Sequence, residues 1–219
     1  MIKEYGFIIP AQESNQYSKH GDLSQFGGTT LVEWKISQIK SFRPEAKIYV
    51  TTPSEKIRKL FENKNIEVII RPRDFAFPEL VSHVADKIKE DYIIWSNPTS
   101  PFISEMDYMN MLSTYEGLNG EDLDSLVSGM SYIEYSFFKN QALNFNLDEF
   151  ITRNDIEPVF VATNGCYIRK RMDVLKDGLL FGKRPFCYAL SELSSKEIKD
   201  LNDVVMCNDM ITIYMKNKP

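Results

Sequence analysis

The chain has 219 residues, 43% of them hydrophobic, and a formal net charge of −5. That size suits one large α/β domain with a substantial core. It contains no apolar run near the ~20 residues that cross a bilayer, no basic stripe of the kind nucleic acids need, and no CxxC or Cys/His spacing for zinc or a disulfide framework.

Tyr5–Ile9 is expected to be a short buried strand, and Thr30–Ser41 a helix with Val32, Ile36 and Ile39 in line. Lys47–Thr51 is β-branched and reads as a second strand. Thr52–Glu55, "TPSE", reads as a helix start, with Thr52 as cap, proline at the first helical position and Glu55 closing a capping box. Ile66–Ile70 is a third strand, Leu80–Lys89 a helix, and Asp91–Ser96 a fourth strand. Ser104 and Asp107 suggest another capping box, ahead of a helix that carries Tyr108, Met111, Leu112 and Tyr115 and ends at Gly117. Asp124–Tyr135 reads as a strand, and Ser136–Asp155 as a polar arm with scattered aromatics. Pro158–Ile168 reads as a strand broken at Asn164-Gly165, Arg169–Asp177 as a short helix and "PFCYAL" as a strand. Leu201–Asn208 is a short helix, and "MITIYM" a last strand or a helix extension.

Such alternation implies an α/β three-layer sandwich, with a mostly parallel sheet between helices. Ligands of such sheets bind beyond the C-terminal strand ends, where strand order reverses. The Pro10–Thr29 loop leaves the first strand there and far exceeds the ~2–6 residues of a plain connection, so it is the first candidate site.

Bland readings compete at several positions. Arg71, before Pro72 at a strand end, reads equally as a solvated arginine. Lys139 lies in a polar arm, and "NPTSP" is turn chemistry in any protein. His20 is read as a loop residue and His83 as structural. Glu121–Asp124, "EDLD", resembles a DxD metal motif but reads better as a cap on the next strand. "MDYMNM" is packing. Cys166, Cys187 and Cys207 read as reduced, mostly buried thiols. The opening "MIKEYGFIIP" has too short an apolar part for a signal peptide. A cytoplasmic protein with neither nucleic-acid nor membrane partners is therefore expected.

Six segments in order resemble the CMP-nonulosonate synthetases, or acylneuraminate cytidylyltransferases. They are "IPA" and "GG" framing a loop of the family's length, "RPRDFA" (Arg71–Ala76) with Ser82 downstream, "NPTSP" (Asn97–Pro101), "DSLVS" (Asp124–Ser128), and "RNDIEP" followed by "NGCYI" within Arg153–Ile168. The resemblance spans almost the whole chain. It implies a single domain over 1–219 with the nucleotide-diphospho-sugar transferase, Rossmann-like architecture, and a dimerisation arm around 136–157. It also implies transfer of CMP from CTP to an acidic keto-sugar with release of pyrophosphate, in surface polysaccharide biosynthesis, by a homodimer using Mg²⁺. By the same resemblance the nucleotide would meet Ala11, Gln12, Asn15, Gln16, Asp22, Arg71, Ser82, Asn97, Pro98, Thr99 and Ser100. The sugar would meet Lys139, Arg153, Asn164 and Gly165, Glu197 and Asp203 would hold the metal, and Lys19 and Lys199 are the candidate catalytic cations.

The chain departs from the family pattern in the loop, where the arginine falls at Gln12, the lysines at Gln16 and Gly21, and flexible glycines at Glu13, Ser14 and Tyr17. Asp22 replaces an asparagine. Phosphates need N–H donors and cations, and here only Lys19 and His20 are basic. In "EIKDLND", Glu197–Asp203, Lys199 stands at a metal-binding position. Its ammonium could take the cation's place, or Asp200 could substitute as ligand. The alternative is therefore a catalytically impaired or regulatory relative that binds a cytidine nucleotide or sugar without transfer.

Overall fold

The computed structural model describes residues 3–62, 64, 66–118 and 123–216. Glu121 and Asp122 of the "EDLD" stretch lie outside them. Asp124 accepts hydrogen bonds from the Lys183 N–H at 2.9 Å and the Ser125 hydroxyl at 2.9 Å, so the described end of that stretch is a clamp between neighbouring segments.

In chain order the elements are β1 (Tyr5–Pro10), β2 (Gln25–Phe26), β3 (Thr29–Thr30), α1 (Leu31–Phe42), β4 (Lys47–Thr52), α2 (Glu55–Phe61), β5 (Glu67–Ile70), α3 (Phe77–Lys87) and β6 (Tyr92–Ser96). Then come α4 (Glu105–Gly117), β7 (Ser125–Tyr132), β8 (Phe137–Phe138), β9 (Gln141–Ala142), β10 (Val159–Lys170), α5 (Arg171–Asp177), β11 (Pro185–Ala189) and α6 (Leu201–Lys216). Seven strands form one sheet in the order β11-β7-β10-β6-β1-β4-β5. β10 is antiparallel to both neighbours, and the other pairings are parallel.

Strand alternation sends successive side chains to opposite faces. Phe7 and Ile9 join Val32, Ile39, Ile57, Tyr108 and Met111 from α1, α2 and α4. Ile8 joins Leu80, Val81, Val84 and Val174 from α3 and α5. β6 divides likewise, Ile94 to the first side and Ile93 and Trp95 to the second. The result is the expected three-layer sandwich. A third cluster, with Tyr17, Phe26, Leu31, Phe102, Ile198, Cys207 and Ile211, packs α6 over the loop that follows β1.

Several local expectations shift. α2 is capped by Ser54, whose hydroxyl accepts from the Ile57 N–H. Thr52 instead bonds the Ser54 N–H at 3.1 Å while still in β4. The α3 helix begins at Phe77, with Pro78 in its first turn, three residues before the apolar periodicity starts. "MITIYM" continues α6, because Ile211 and Cys207, four apart, both face the third cluster. β10 runs on through Asn164-Gly165, but its register to β7 shifts between Ala162 and Tyr167. The Ser104–Asp107 capping box forms as expected.

Candidate nucleotide site

The chain lays β4 and β5 on one side of β1 and then returns to place β6 on the other side. Sheet order therefore reverses between β1 and β6, and the loops after these strands face each other beyond their C-terminal ends.

The β1 loop builds itself around a buried carboxylate. Asp22 Oδ2 accepts from the Gln12 N–H at 2.7 Å, and Oδ1 accepts from the Tyr17 hydroxyl at 2.5 Å. The Asp22 N–H returns a bond to the Gln12 carbonyl at 2.8 Å. Desolvation raises the Asp22 carboxyl to about 6 against the pull of Tyr17, the Gln12 N–H and nearby Arg71. Asn15 closes a smaller turn, its N–H bonding the Ser18 carbonyl and its Oδ1 accepting from the Ser18 N–H. Gly21 has φ +49, and a Cβ there would meet the Gln12 carbonyl oxygen at 2.2 Å. The Gly27–Gly28 pair is no phosphate cradle. Both residues have positive φ and form the two-residue turn between β2 and β3.

Two cavities meet at Gln12. The first, about 490 Å³, is lined by Gln12, Glu13, Ser14, Lys19, Pro53, Ser54, Arg71 and Arg73, from the loops after β1, β4 and β5. Three cations converge there. Arg71 is buried, and among the described residues its Nε has no hydrogen-bond partner. Burial pushes its guanidinium down, and Asp22 pulls it back up. Glu13 Oε2 accepts from the Ser54 hydroxyl at 2.7 Å, which ties the loop to the start of α2.

The second cavity, about 410 Å³, includes Asn15, Gln16, Tyr17, Asp22, Asn97, Pro98, Thr99, Asn164, Glu197, Ile198 and Lys199. Side-chain amides dominate it. Asn97 Nδ2 donates to the Asn164 carbonyl at 2.5 Å, and the Ile198 N–H donates to the Thr99 carbonyl at 2.8 Å. The "NPTSP" turn is thus held from both sides.

The expected site residues fall into groups. Gln12, Lys19 and Arg71 meet in the first cavity, and Gln12, Asn15, Gln16, Asp22, Asn97, Pro98, Thr99, Asn164, Glu197 and Lys199 in the second. Ala11, Ser100 and Gly165 are buried and line neither cavity. Ser82 sits half-buried on α3, outside both linings. Lys139 and Arg153 are exposed on the arm, Lys139 over the Phe138 ring and Arg153 ion-paired with Glu134. Sequence reasoning missed Arg73, Ser54 and Pro53. Only the second arginine of "RPR" was a legible signal, because strand-end pairing is what brings the others in.

The carboxylates expected to hold Mg²⁺ have other partners. Asp203 Oδ2 accepts from the Lys199 N–H at 2.8 Å and the Asp200 N–H at 3.2 Å, while Asp200 Oδ1 accepts from the Asp203 N–H at 3.0 Å. This is a reciprocal cap on α6. Glu197 pairs with the Lys199 ammonium at 3.4 Å. Among the described residues no group of three or more His, Cys, Asp or Glu is placed to hold a metal ion. Mg²⁺ is usually held by one or two carboxylates together with substrate phosphates and water; of the two expected here, Glu197 lines the second cavity and Asp203 is taken up by the helix cap.

No family model matches the chain. It is 23% identical over 229 residues to the N-acylneuraminate cytidylyltransferase of Escherichia coli, a match covering 95% of this chain and 52% of that protein. The chain thus spans about half the length of that curated relative. The solved CMP:2-keto-3-deoxy-manno-octonic acid synthetase in complex with CTP superposes with a TM-score of 0.71 at 13% identity, over 99% of this chain and 100% of that one. The 4-diphosphocytidyl-2C-methyl-D-erythritol synthase of Anaerococcus prevotii gives 0.68 at 10% identity, over 96% and 99%. These likenesses fix the fold as that of the nucleotidyltransferases.

Proposed function

We propose that this chain, which has the nucleotidyltransferase fold of the cytidylyltransferases, binds CTP and transfers CMP to an acidic keto-sugar of the nonulosonate type, with release of pyrophosphate. The observation that carries the reading is the meeting of Lys19, Arg71 and Arg73 in a cavity at the C-terminal strand ends, with the Arg71 Nε unpartnered. A buried guanidinium without a carboxylate on it is costly unless a ligand completes it.

The nucleotide occupies this cavity, with its phosphates toward Lys19 and the amides of Gln12, Asn15 and Gln16. The nucleotide reaches past Gln12 to the Asn97–Thr99 turn, and the acceptor lies in the second cavity beside Asn164 and Lys199. The acceptor hydroxyl attacks the α-phosphorus and the bond to the β-phosphate oxygen breaks, so pyrophosphate leaves. The protein's part is positioning and charge neutralisation. Mg²⁺, expected from the resemblance, would be held by Glu197 together with the nucleotide's phosphates and would neutralise their charge. Lys139 and Arg153 reach an acceptor only if the exposed arm packs in a homodimer. The exposed side chains of Phe137, Phe138 and Phe150 support that assembly.

A second reading is favoured by the engaged carboxylates Glu197 and Asp203: a relative that holds a cytidine nucleotide or sugar without transfer. Calorimetric titration with CTP, CMP and UTP separates the two. Transfer predicts that CTP binds more tightly than CMP, with UTP weakest. CMP binding equal to CTP supports the second reading, and no cytidine nucleotide binding defeats both.

A further inference from the structure

Lys35, on α1, has a wholly buried side chain. Its Nζ donates to the Ser100 carbonyl at 2.7 Å and lies 3.3 Å from the Tyr108 hydroxyl. Tyr108 in turn shares a 2.5 Å contact with the Ser96 hydroxyl. The groups facing the ammonium are Tyr108 and Asp107 of α4 and Cys166 of β10. Asp107 Oδ2 already accepts from Ser104 and Ser194. A buried cation with no bonded carboxylate opposes folding. A methionine would fill the same space without that cost, so packing alone does not call for a lysine.

The Ser100 carbonyl supplies the reason. It points into the core at the end of the Asn97–Ser100 turn and needs a donor. On the same stretch of α1, Trp34 Nε1 and Gln38 Nε2 both donate to the next carbonyl, Pro101, at 2.7 Å. Three donors of one helix thus grip two consecutive carbonyls. The other face of the turn presents Asn97, Pro98 and Thr99 to the second cavity.

We propose that Lys35 is a positioning residue of the nucleotide site: it holds the Ser100 carbonyl inward and so fixes the surface that Asn97, Pro98 and Thr99 offer to the ligand. This rests on the nucleotide reading of the cavities. Desolvation pushes the Lys35 ammonium down to about 7 and the Cys166 thiol up to about 12. The bond to Ser100 is charge-assisted only while Lys35 is protonated. The grip therefore weakens as pH rises through neutrality.

The test compares hydrogen-exchange protection at the Ser100 and Ile198 amides, which bond within and onto the turn. It uses wild type, Lys35→Met and Tyr108→Phe at pH 6 and pH 8.5, with CMP affinity measured on the same samples. K35M is expected to lose about tenfold in protection at both amides and about tenfold in CMP affinity at pH 6, and to differ from wild type less at pH 8.5, while its thermal midpoint does not fall. Y108F, which keeps the lysine, is expected to move the same way by about threefold, and it carries the test if K35M does not fold. Wild-type protection in K35M at pH 6, or lost protection with unchanged CMP affinity, overturns the proposal. Lost protection in a protein that binds no cytidine nucleotide even as wild type upholds the grip on the turn and overturns the nucleotide reading instead.

Discussion

The Tyr17 hydroxyl lies 2.5 Å from Oδ1 of Asp22, and both side chains are buried beneath the loop they shape. A carboxylate that stands where the resembled family has an asparagine is the loop's internal fastener. Its other oxygen holds the Gln12 N–H. Gln12 is thereby fixed where the two cavities meet.

This arrangement has a pH signature. The Asp22 carboxyl titrates near 6 in the fold against 3.8 unperturbed. The folded state therefore takes up the proton first, and this group adds stability as pH falls from above 6 toward 4. The gap corresponds to roughly 3 kcal/mol. Asp22→Asn can accept from the Gln12 N–H and donate to Tyr17, and it has no such proton to gain. Denaturant unfolding is expected to show the stability of D22N relative to wild type falling between pH 7 and pH 4.5. A constant difference across that range would refute the assignment.

Arg71→Gln removes a buried, incompletely bonded guanidinium from the first cavity. CTP affinity is expected to drop about 10- to 100-fold, the scale of one charge-assisted contact. Thermal stability is expected to hold or rise, since the desolvated cation is gone. Calorimetry and a melting curve on the same preparation check both halves. A mutant that melts earlier yet binds CTP like wild type would show that the arginine serves the fold alone.

Asp203 caps α6, and Asp203→Ala is expected to cost about 1 kcal/mol, or roughly 2–4 °C in melting temperature for a chain of this size. Lys199→Ala leaves that cap in place, because its backbone N–H remains. K199A should instead weaken binding of the charged ligand and flatten its salt dependence. Equal effects of the two substitutions on melting and on ligand affinity would contradict this division of roles.

On the arm, Phe150 is 96% exposed. If the arm packs against a second copy, Phe150→Ser shifts the protein toward monomer in sedimentation velocity at micromolar concentration. A wild-type chain that sediments only as monomer at that concentration would remove the homodimer from the account.

Much of the architecture is legible in the sequence because strand and helix periodicities differ. The unbroken apolar run Phe7–Ile9 marks a strand buried on both faces, and the spacing of Tyr108, Met111, Leu112 and Tyr115 points to one partner surface. The loop was legible in length and position but not in purpose. Nothing in the spelling of "GG" separates a phosphate cradle from a hairpin turn, and the antiparallel pairing of β2 with β3 around the two glycines decides it. Asp203 shows the same limit, because a capping carboxylate and a metal ligand look alike in sequence, and only the placed N–H groups of Lys199 and Asp200 reveal its cap on α6. Lys35 gave no signal, since a lysine inside an amphipathic helix ordinarily faces water. Its burial follows from the contact of α1 with the turn after β6.

The most direct test of the central claim is pyrophosphate release from CTP in the presence of a panel of acidic keto-sugars. The account predicts release that requires both CTP and an acceptor and that falls sharply in Arg71→Gln. CTP binding with no pyrophosphate from any acceptor in the panel would contradict transfer and leave a nucleotide-binding relative in its place.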